Sequence, residues 1–448
     1  MQVDVSQVLD NNKISRFQVS VFILSALCLI LDGFDVQALG YLAPAIIKDW
    51  QLQQGQMGPV LSAALFGILI GSLVFSTIGD RYGRRTVLVI ATFLFAVTTL
   101  ITGFARNMRE LWAIRFIAGI FLGAIMPNAV ALVGEYTPKR YRVLMVLVVT
   151  NGFNLGAMIG GLVSAWMVPN YGWRSVFFVG GVIPIFIGTM MFLWLPESLQ
   201  FLVLRGKSSA KIAKWVRRID PSAQVDANTQ FVVPEEKGKG VPLVHLLSEG
   251  RAMGTFLIWT INFMNLLNIY FLAGWLPTIV NSWYSLQVSQ LVGTTLHVGG
   301  VLGTFVFSWL IGRYGFVPVL TTTFFMAVVS IAMIGQPAMP FAFLSVVVFI
   351  SGFCIVGAQA AVNALSATFY PTHLRSTGVG AGLGVGRIGG IIGPSIAGAM
   401  VSAQWMPREI FYAAALPALI SAIAMLSFRG MIKPQKTGPV TKSEVLAH

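Results

Sequence analysis

Charged residues are scarce in this chain: Asp, Glu, Lys and Arg make up 10% of its 448 residues, whereas hydrophobic residues make up 56%. Average soluble domains carry about 25% charged residues, so this composition excludes an ordinary soluble globular protein. The apolar residues form runs of about 20 residues, the length of a membrane-spanning helix, rather than the short alternating segments of a β-barrel. The sequence therefore predicts a helical membrane protein.

Cysteine and histidine are also rare, with 2 and 4 residues respectively. Cys28 and Cys354 lie in different apolar runs without the spacing of metal ligands, so we interpret them as packing residues. The sequence offers no nucleophile–base cluster, metal-ligand set or phosphate-binding loop. We therefore expect neither an enzyme nor a bound metal or cofactor.

The apolar runs number twelve and divide six and six around one long polar segment. This pattern predicts an all-α membrane protein with twelve transmembrane helices in two pseudo-symmetric six-helix bundles. The predicted parts are an N-terminal bundle (1–196), a central loop (197–252) with a basic amphipathic helix at Ser208–Ile219, a C-terminal bundle (253–430) and a tail (431–448).

Basic residues outnumber acidic ones, and the formal net charge is +14. If the N-terminus is cytoplasmic, only five Lys or Arg residues lie on the opposite side and two lie inside apolar runs, while all the others are cytoplasmic. This asymmetry is the usual rule for helical membrane proteins, so it indicates topology rather than a nucleic-acid partner. We expect both termini in the cytoplasm. The five are Lys48, Arg106, Arg109, Arg174 and Arg408, and the two are Arg115 and Arg387.

The two halves repeat each other at a nearly constant offset. A shift of 232 residues aligns Arg81-Tyr82-Gly83 with Arg313-Tyr314-Gly315, and a shift of 233 aligns Asp32 and Asp35 with Asn265 and Asn268. Because each half has an even number of helices, both halves share one orientation and are related by an axis along the membrane normal. The interface between them is the expected place for a substrate cavity.

Asp32 and Asp35 lie in the first apolar run, where acidic residues are costly and usually functional. At i and i+3 the two side chains share one helix face, about 5–6 Å apart at Cβ. Two carboxylates this close in a low-dielectric medium are not both ionised at little cost, so we predict a proton-handling pair, with Asp32 nearer mid-membrane as the coupling residue. The alternative is that the acids only neutralise an arginine.

Gly79-Asp80-Arg81-Tyr82-Gly83-Arg84-Arg85, between the second and third runs, resembles the loop signature of the major facilitator superfamily. Within that superfamily, Leu31-Asp32-Gly33-Phe34-Asp35 and Gly386-Arg387 resemble the aromatic acid:proton symporters. The resemblance implies the superfamily's fold, working as a monomer in a bacterial-type inner membrane. It also implies the import of benzoate-like or hydroxybenzoate-like anions for aromatic catabolism.

The same resemblance implies a conformational role for seven residues. Asp80 is expected to pair with arginines across the two halves and to release them as the cytoplasmic side opens. This chain departs from the family in its second half, where Ile311-Gly312-Arg313 has no acid before the arginine, so the lock is expected to be one-sided. The seven residues are Asp80, Arg81, Arg84, Arg85, Arg115, Glu135 and Arg375. For Arg115 we consider tuning of the acids and snorkelling to the interface equally good interpretations.

Several residues are candidates for binding an aromatic carboxylate. Arg387 lies near the middle of the eleventh run, where its planar guanidinium suits bidentate capture of an anion, although it could instead pair with Asp32 or Asp35. Asn265 and Asn268 are interpreted as substrate donors and acceptors, with bonding between helices as the alternative. Asn154, Tyr270, Phe34 and His297 complete the predicted site, although a buried histidine is more often a packing residue.

These features together predict a symporter that couples the inward movement of a small aromatic carboxylate to that of a proton by alternating access. The alternatives are a proton symporter of another small organic acid or a sugar, and a sensor built on a transporter fold.

Overall fold

The computed structural model describes residues 2–206, 209–221, 223–226, 229–233, 243–336, 339–371 and 374–430. Within these ranges, 12 helices are long and apolar enough to cross a membrane. The predicted fold class, twelve helices in two six-helix bundles, is confirmed. The tail at 431–448 and the first residue of the predicted amphipathic helix, Ser208, lie outside the described residues.

The N-terminal half contains six spans, the fourth of which is divided by a break at Gly123 and Ala124. A strand, β1 (Gln2–Asp4), and a short helix, α1 (Val5–Asn11), precede them. The spans are α2 (Arg16–Asp49), α3 (Gly58–Tyr82), α4 (Arg84–Thr102), α5 (Met108–Leu122) followed by α6 (Ile125–Tyr136), α7 (Lys139–Tyr171) and α8 (Trp173–Trp194).

The central segment contributes α9 (Leu199–Leu204), α10 (Ser209–Ile219) and β2 (Gln230–Val232). Six further spans form the C-terminal half: α11 (Ala252–Val280), α12 (Leu286–Tyr314), α13 (Phe316–Ile334), α14 (Phe341–Phe369), α15 (Arg375–Ser402) and α16 (Pro407–Ser427).

The packing of the helices repeats between the halves. α2 packs along α7 as α11 packs along α15, α3 along α5 as α12 along α14, and α4 along α8 as α13 along α16. Gly83 and Gly315 follow α3 and α12 at equivalent positions, with φ of +104° and +81° that side-chain-bearing residues rarely adopt. The duplication seen in the sequence therefore extends to the helix pairs and to the turns between them.

The two halves meet on one side of the molecule, which we call the far face; it carries the ends of α2 and α11 at Asp49 and Val280. There α3 packs against α15, and α7 against α12. A Cβ added to Gly58 would lie 3.2 Å from the Cα of Gly398, so small residues allow this contact. On the other side, the loop face, a Cβ added to Gly380 or Gly384 would meet nothing within 4 Å. The halves are thus closed at the far face and separated at the loop face.

The N-terminal segment and the central segment form a small unit on the loop face that the sequence did not predict. β1 pairs in parallel with β2, and α1 packs against α10. The apolar side of α10, including Ile212 and Val216, is buried, and the Trp215 ring stacks on Phe17 at 5.3 Å. Because α1 and the start of α2 cover this apolar side, α10 lies under the N-terminal bundle.

Candidate functional site

A cavity of about 240 Å³ lies between the two halves and opens toward the loop face. Both halves contribute polar side chains to a wall that is otherwise mostly apolar. The polar lining residues are Asp32, Thr150, Asn151 and Asn154 from the N-terminal half, and Tyr270, Thr304, Gln359, Asn363 and Arg387 from the C-terminal half. The apolar lining includes Ile68, Met126, Phe153, Leu266, Ile269 and Val356.

Asp32 lies in the wall of this cavity and is 4% exposed. No hydrogen bond or ion pair joins its carboxylate to any residue that the structure describes. A carboxylate in this position has no protein donor to stabilise its charge, so its ionisation depends on what occupies the cavity.

Asp35 is turned away from the cavity and pairs with Arg115, so the alternative given above, that the acid neutralises an arginine, applies to this residue. Its carboxylate accepts hydrogen bonds from Arg115 at 2.7 and 3.2 Å and from the Thr99 hydroxyl at 2.8 Å. Arg115 also donates to the Asp35 main-chain oxygen at 3.1 Å. Residues three apart on a helix differ by about 60° in direction, which suffices for α2 to present Asp32 to the cavity and Asp35 to α4 and α5.

Arg115 is fully buried, at 0% exposure, and its guanidinium lies 5.7 Å from the Phe177 ring centroid. This placement contradicts snorkelling, which would bring the charged group to the interface. Arg115 and Asp35 form a bidentate pair inside the N-terminal half, and bidentate geometry is the form in which a buried ion pair best compensates its lost hydration.

Arg387 lies in the cavity wall near the middle of α15 and donates a hydrogen bond to the Ser72 hydroxyl of α3, which belongs to the other half. Among the described residues it forms no ion pair within 4 Å, so the alternative that Arg387 is neutralised by Asp32 or Asp35 does not apply to this conformation. The site therefore presents one acid and one cation to a shared space without a salt bridge between them.

A network of amides supports the C-terminal wall. Asn265 donates to the Gln359 side chain at 2.8 Å and to the main-chain oxygen of Ile355 at 3.0 Å. Gln359 in turn donates to Asn262 at 3.2 Å and to Asn363 at 3.1 Å. Asn265 is thus one layer behind the cavity, whereas Gln359 and Asn363 line it. On the opposite wall, Asn154 lines the cavity as expected and donates to Asn151 at 3.0 Å.

Besides Asn265, three further predicted substrate residues do not line the cavity. Asn268 faces α16, where its amide donates to the Ala414 oxygen at 2.7 Å and accepts from the Ala418 nitrogen at 3.3 Å. The Phe34 ring lies against Gly160 and Gly180 between α7 and α8. His297 is 1% exposed, within α12. All three lie on sides of their helices that pack within the protein, so their assignment to the cavity is corrected. Tyr270, by contrast, lines the cavity as predicted.

The charged residues of the loop signature form contacts within the N-terminal half. Arg84 pairs with Glu135 and lies 3.6 Å from Asp80, and Glu135 also accepts a hydrogen bond from Ser198. The Arg85 main-chain N–H donates to Glu197 at 2.9 Å. In the part of the chain that the structure describes, Asp80 forms no ion pair with the C-terminal half, because the halves are separated at this face.

The remaining predicted gating residues are on the surface. Arg81 is exposed and its main-chain oxygen accepts a hydrogen bond from Arg205 at 2.9 Å. Arg375, at the first position of α15, is exposed as well.

Both cysteines are buried, and Cys28 lies 3.4 Å from the Thr92 hydroxyl. In the described residues, no group of three or more His, Cys, Asp or Glu side chains could hold a metal ion.

Sequence reasoning missed several polar residues that shape the cavity, among them Gln359, Asn363 and Ser72. A signal for the first two was available, because they are spaced i, i+4 in an apolar span, the pattern of one polar helix side. Ser72 had no such signal, since its role depends on the approach of α15 from the other half.

The pattern of the Major Facilitator Superfamily matches residues 25–248 and 258–447. The chain is 37% identical over 427 residues to the 4-hydroxybenzoate transporter PcaK of Pseudomonas putida, with 95% of each covered. It is 36% identical over 441 residues to the gallate transporter of the same species, with 98% of each covered. The partially occluded inward-open xylose transporter XylE from E. coli has the same fold, with a TM-score of 0.72 at 15% identity over 93% of this chain and 98% of that one.

Proposed function

Because the chain belongs to the Major Facilitator Superfamily, we propose that it is a proton-coupled symporter that imports a small aromatic carboxylate by alternating access. The chain is a multi-pass membrane transporter and not an enzyme. The substrate class and the coupling to protons are the two parts of the proposal that go beyond membership of the family.

One observation carries the proposal: Asp32 and Arg387 lie in the wall of the same cavity, each without an ionic partner among the described residues. A carboxylate substrate supplies the counter-ion for Arg387, and a proton neutralises Asp32. The fully loaded cavity then contains no uncompensated charge. A cavity with only one of the two ligands keeps one unpaired buried charge, which is costly to move through a low-dielectric environment.

The shape and chemistry of the wall support an aromatic acid. Apolar side chains such as Phe153, Leu266 and Val356 cover most of the cavity, and the amides of Asn154 and Asn363 supply donors and acceptors for a ring hydroxyl. The relatives named above transport 4-hydroxybenzoate and gallate, which are hydroxylated aromatic acids. A carboxylate of this type is ionised at neutral pH, so it requires a cation such as Arg387.

The orientation follows from the charge distribution. The loop face carries most of the Lys and Arg residues that the structure describes, which supports its assignment as the cytoplasmic face of an inner membrane, with the N-terminal segment and the end of α16 on that side. The cavity of this structure, open at the loop face, then corresponds to the state that releases substrate and proton into the cytoplasm. In the other state the Asp80 region closes against the C-terminal half.

The test is uptake by purified protein in proteoliposomes with an imposed pH gradient, acidic outside. We expect accumulation of radiolabelled 4-hydroxybenzoate that requires the gradient, and competition by benzoate and gallate but not by xylose. Accumulation of xylose would favour the sugar alternative. Binding of 4-hydroxybenzoate without accumulation under any gradient would contradict transport and favour a sensor.

A further inference from the structure

The contact between α2, α7 and α12 at the far face contains polar residues that the proposed transport site does not use. We call it the far-face seam and define it by Tyr41, Gly161, Gln290, Gly293 and Thr294. Gln290 donates to the main-chain oxygen of Tyr41 at 3.0 Å, across the two halves. A Cβ added to Gly161 would overlap the Thr294 hydroxyl, and one added to Gly293 would lie 3.0 Å from the Tyr41 ring.

Polar atoms without partners collect in and around this seam. The Tyr41 hydroxyl and the Gln290 side-chain oxygen are buried and have no hydrogen bond among the described residues, and both residues are at most 2% exposed. Thr294 donates its hydrogen to the Gln290 main-chain oxygen at 2.9 Å, so toward the neighbouring Tyr41 hydroxyl its oxygen can act only as an acceptor. Within one helical turn of seam residues, Ser164, Gln37 and His297 each have an unpartnered buried polar atom.

The second contact between the halves at the far face is different. Where α3 meets α15, Ser62 donates to the Ile391 main-chain oxygen at 2.7 Å and lies 2.9 Å from the Ser395 hydroxyl. Its polar group is therefore satisfied in the closed state. Ser62 and Ser395 thus differ from Gln290, whose side-chain oxygen has no hydrogen bond among the described residues.

Buried polar groups without hydrogen bonds destabilise the state that buries them, because water satisfies them when they are exposed. Apolar side chains would hold a permanent contact together better than a phenol and an amide do. The composition of the far-face seam therefore suits a surface that separates from its partner and becomes wet. Opening there exposes an aromatic ring, a hydroxyl and an amide to the far-face solution at one position.

We propose that the far-face seam opens into a second binding site, in which Tyr41 and Gln290 contact the aromatic acid before it reaches Asp32 and Arg387. The phenol donates a hydrogen bond to a substrate oxygen, the amide oxygen accepts one from a ring hydroxyl, and the Tyr41 ring packs against the substrate ring. The identity of the ligand in this inference rests on the proposed function. The opening of the seam does not depend on the proposed function.

Cysteine accessibility tests the opening. In a background with Cys28→Ala and Cys354→Ala, Ser164→Cys places a thiol one turn from Gly161. A membrane-impermeant maleimide is applied from outside to right-side-out spheroplasts. We expect slow labelling, because Ser164 is fully buried in the closed seam. Addition of Gly293→Leu pushes a side chain against Tyr41 and is expected to accelerate labelling by about tenfold.

Gly312→Leu is the matched control, because it makes the same change in the same helix where a Cβ would meet nothing within 4 Å. It is expected to leave the labelling rate unchanged. The inference would be overturned if Ser164→Cys were not labelled from outside, either alone or combined with Gly293→Leu. This conclusion requires that both variant proteins still bind 4-hydroxybenzoate.

Protection by substrate tests the binding site. 4-Hydroxybenzoate is expected to slow external labelling of Ser164→Cys, and Tyr41→Phe is expected to raise the half-protecting concentration by about three- to tenfold. Met126→Cys, labelled from the loop face in inside-out vesicles, reports on the central cavity without removing a proposed polar contact to the substrate, and its protection is expected to be unaffected by Tyr41→Phe.

The two reporters distinguish the failure of this inference from that of the proposed function. Protection of Met126→Cys without protection of Ser164→Cys would overturn the second site and leave the aromatic-acid transporter intact. Protection of neither thiol at any 4-hydroxybenzoate concentration would contradict the proposed substrate and, with it, this site. Protection of both, with a Tyr41-dependent shift only at Ser164→Cys, would support the inference.

Discussion

The first spans of the two halves, α2 and α11, occupy equivalent places but carry different chemistry. α2 has Asp32 and Asp35 where α11 has Asn265 and Asn268. In α2 one acid is held by Arg115 and the other faces the cavity without a partner. In α11 both amides are used inside the C-terminal half, Asn265 toward α14 and Asn268 toward α16.

The difference separates titration from binding. The N-terminal half presents an acid to the cavity, and the C-terminal half presents a permanent cation, Arg387, with the amides of Gln359 and Asn363. In the proposed mechanism the halves move relative to each other, so the proposed proton site and the proposed anion site, on opposite halves, interact differently in each state. The comparison therefore predicts that equivalent substitutions in the two spans have unequal effects.

The largest effect is expected from breaking the buried pair of the N-terminal half. Asp35→Asn leaves Arg115 charged, fully buried and without its carboxylate, a change that typically costs about 3–5 kcal/mol. We expect a marked loss of folded protein, measured by size-exclusion profiles and by thermal denaturation in detergent.

The double variant Asp35→Asn/Arg115→Gln serves as the control, because it removes both charges while keeping polar groups of similar size. It is expected to recover a substantial part of the lost stability. If Asp35→Asn alone were as stable as the unmodified protein, the pair would not be a structural requirement of the N-terminal half.

The next effect concerns coupling. Asp32→Asn is expected to abolish accumulation driven by a pH gradient, because the cavity no longer contains a titrating acid, while thermal stability is retained, since this carboxylate has no partner to lose. Counterflow exchange of 4-hydroxybenzoate in proteoliposomes, which requires no gradient, is expected to persist.

The double variant Asp32→Asn/Asn265→Asp moves the acid to the equivalent position of the other half. It is expected to remain uncoupled, because residue 265 lies behind Gln359 and not in the cavity wall. Restored accumulation in this variant would show that the half carrying the acid is immaterial, and active accumulation by Asp32→Asn alone would reject the coupling role.

Much of the fold could be predicted from the sequence, because membrane spans are set by length and hydropathy and the duplication by constant offsets. The small unit of β1, β2, α1 and α10 was not predicted, although the amphipathic helix that became α10 was. Its strands have three residues each and lie far apart in sequence, so no periodic pattern identifies them. The contact between them is visible only in three dimensions.

The charged residues of the candidate site could be predicted from the sequence, but the residues that they contact could not. Asp32 and Arg387 stood out because charged residues in apolar spans are rare, and both line the cavity. The direction of Asp35, Asn268 and Phe34 could not be derived, since a helix buried on all sides has no polar face to indicate orientation. α2 and α11 are buried over most of their circumference, which removes that signal.

A smaller effect is expected at the anion site of the C-terminal half. Arg387→Lys keeps the charge but removes the planar pair of donors, so we expect about a tenfold increase in the half-saturating concentration of 4-hydroxybenzoate. Arg408→Lys, at an exposed position of α16, is the control and is expected to have no effect. Unchanged affinity in Arg387→Lys would assign Arg387 to the contact with Ser72 rather than to substrate.

The smallest effect is expected at Asn268, the counterpart of Asp35. Its partners, the Ala414 oxygen and the Ala418 nitrogen, are four residues apart in α16 and bond to each other within the helix, so Asn268→Ala leaves no main-chain group unsatisfied. Polar contacts between membrane helices average about 0.6 kcal/mol, so we expect only a slight decrease in thermal stability and unchanged uptake. A loss as large as that of Asp35→Asn would mean that the equivalent positions contribute equally, and that charge is not what distinguishes the two halves.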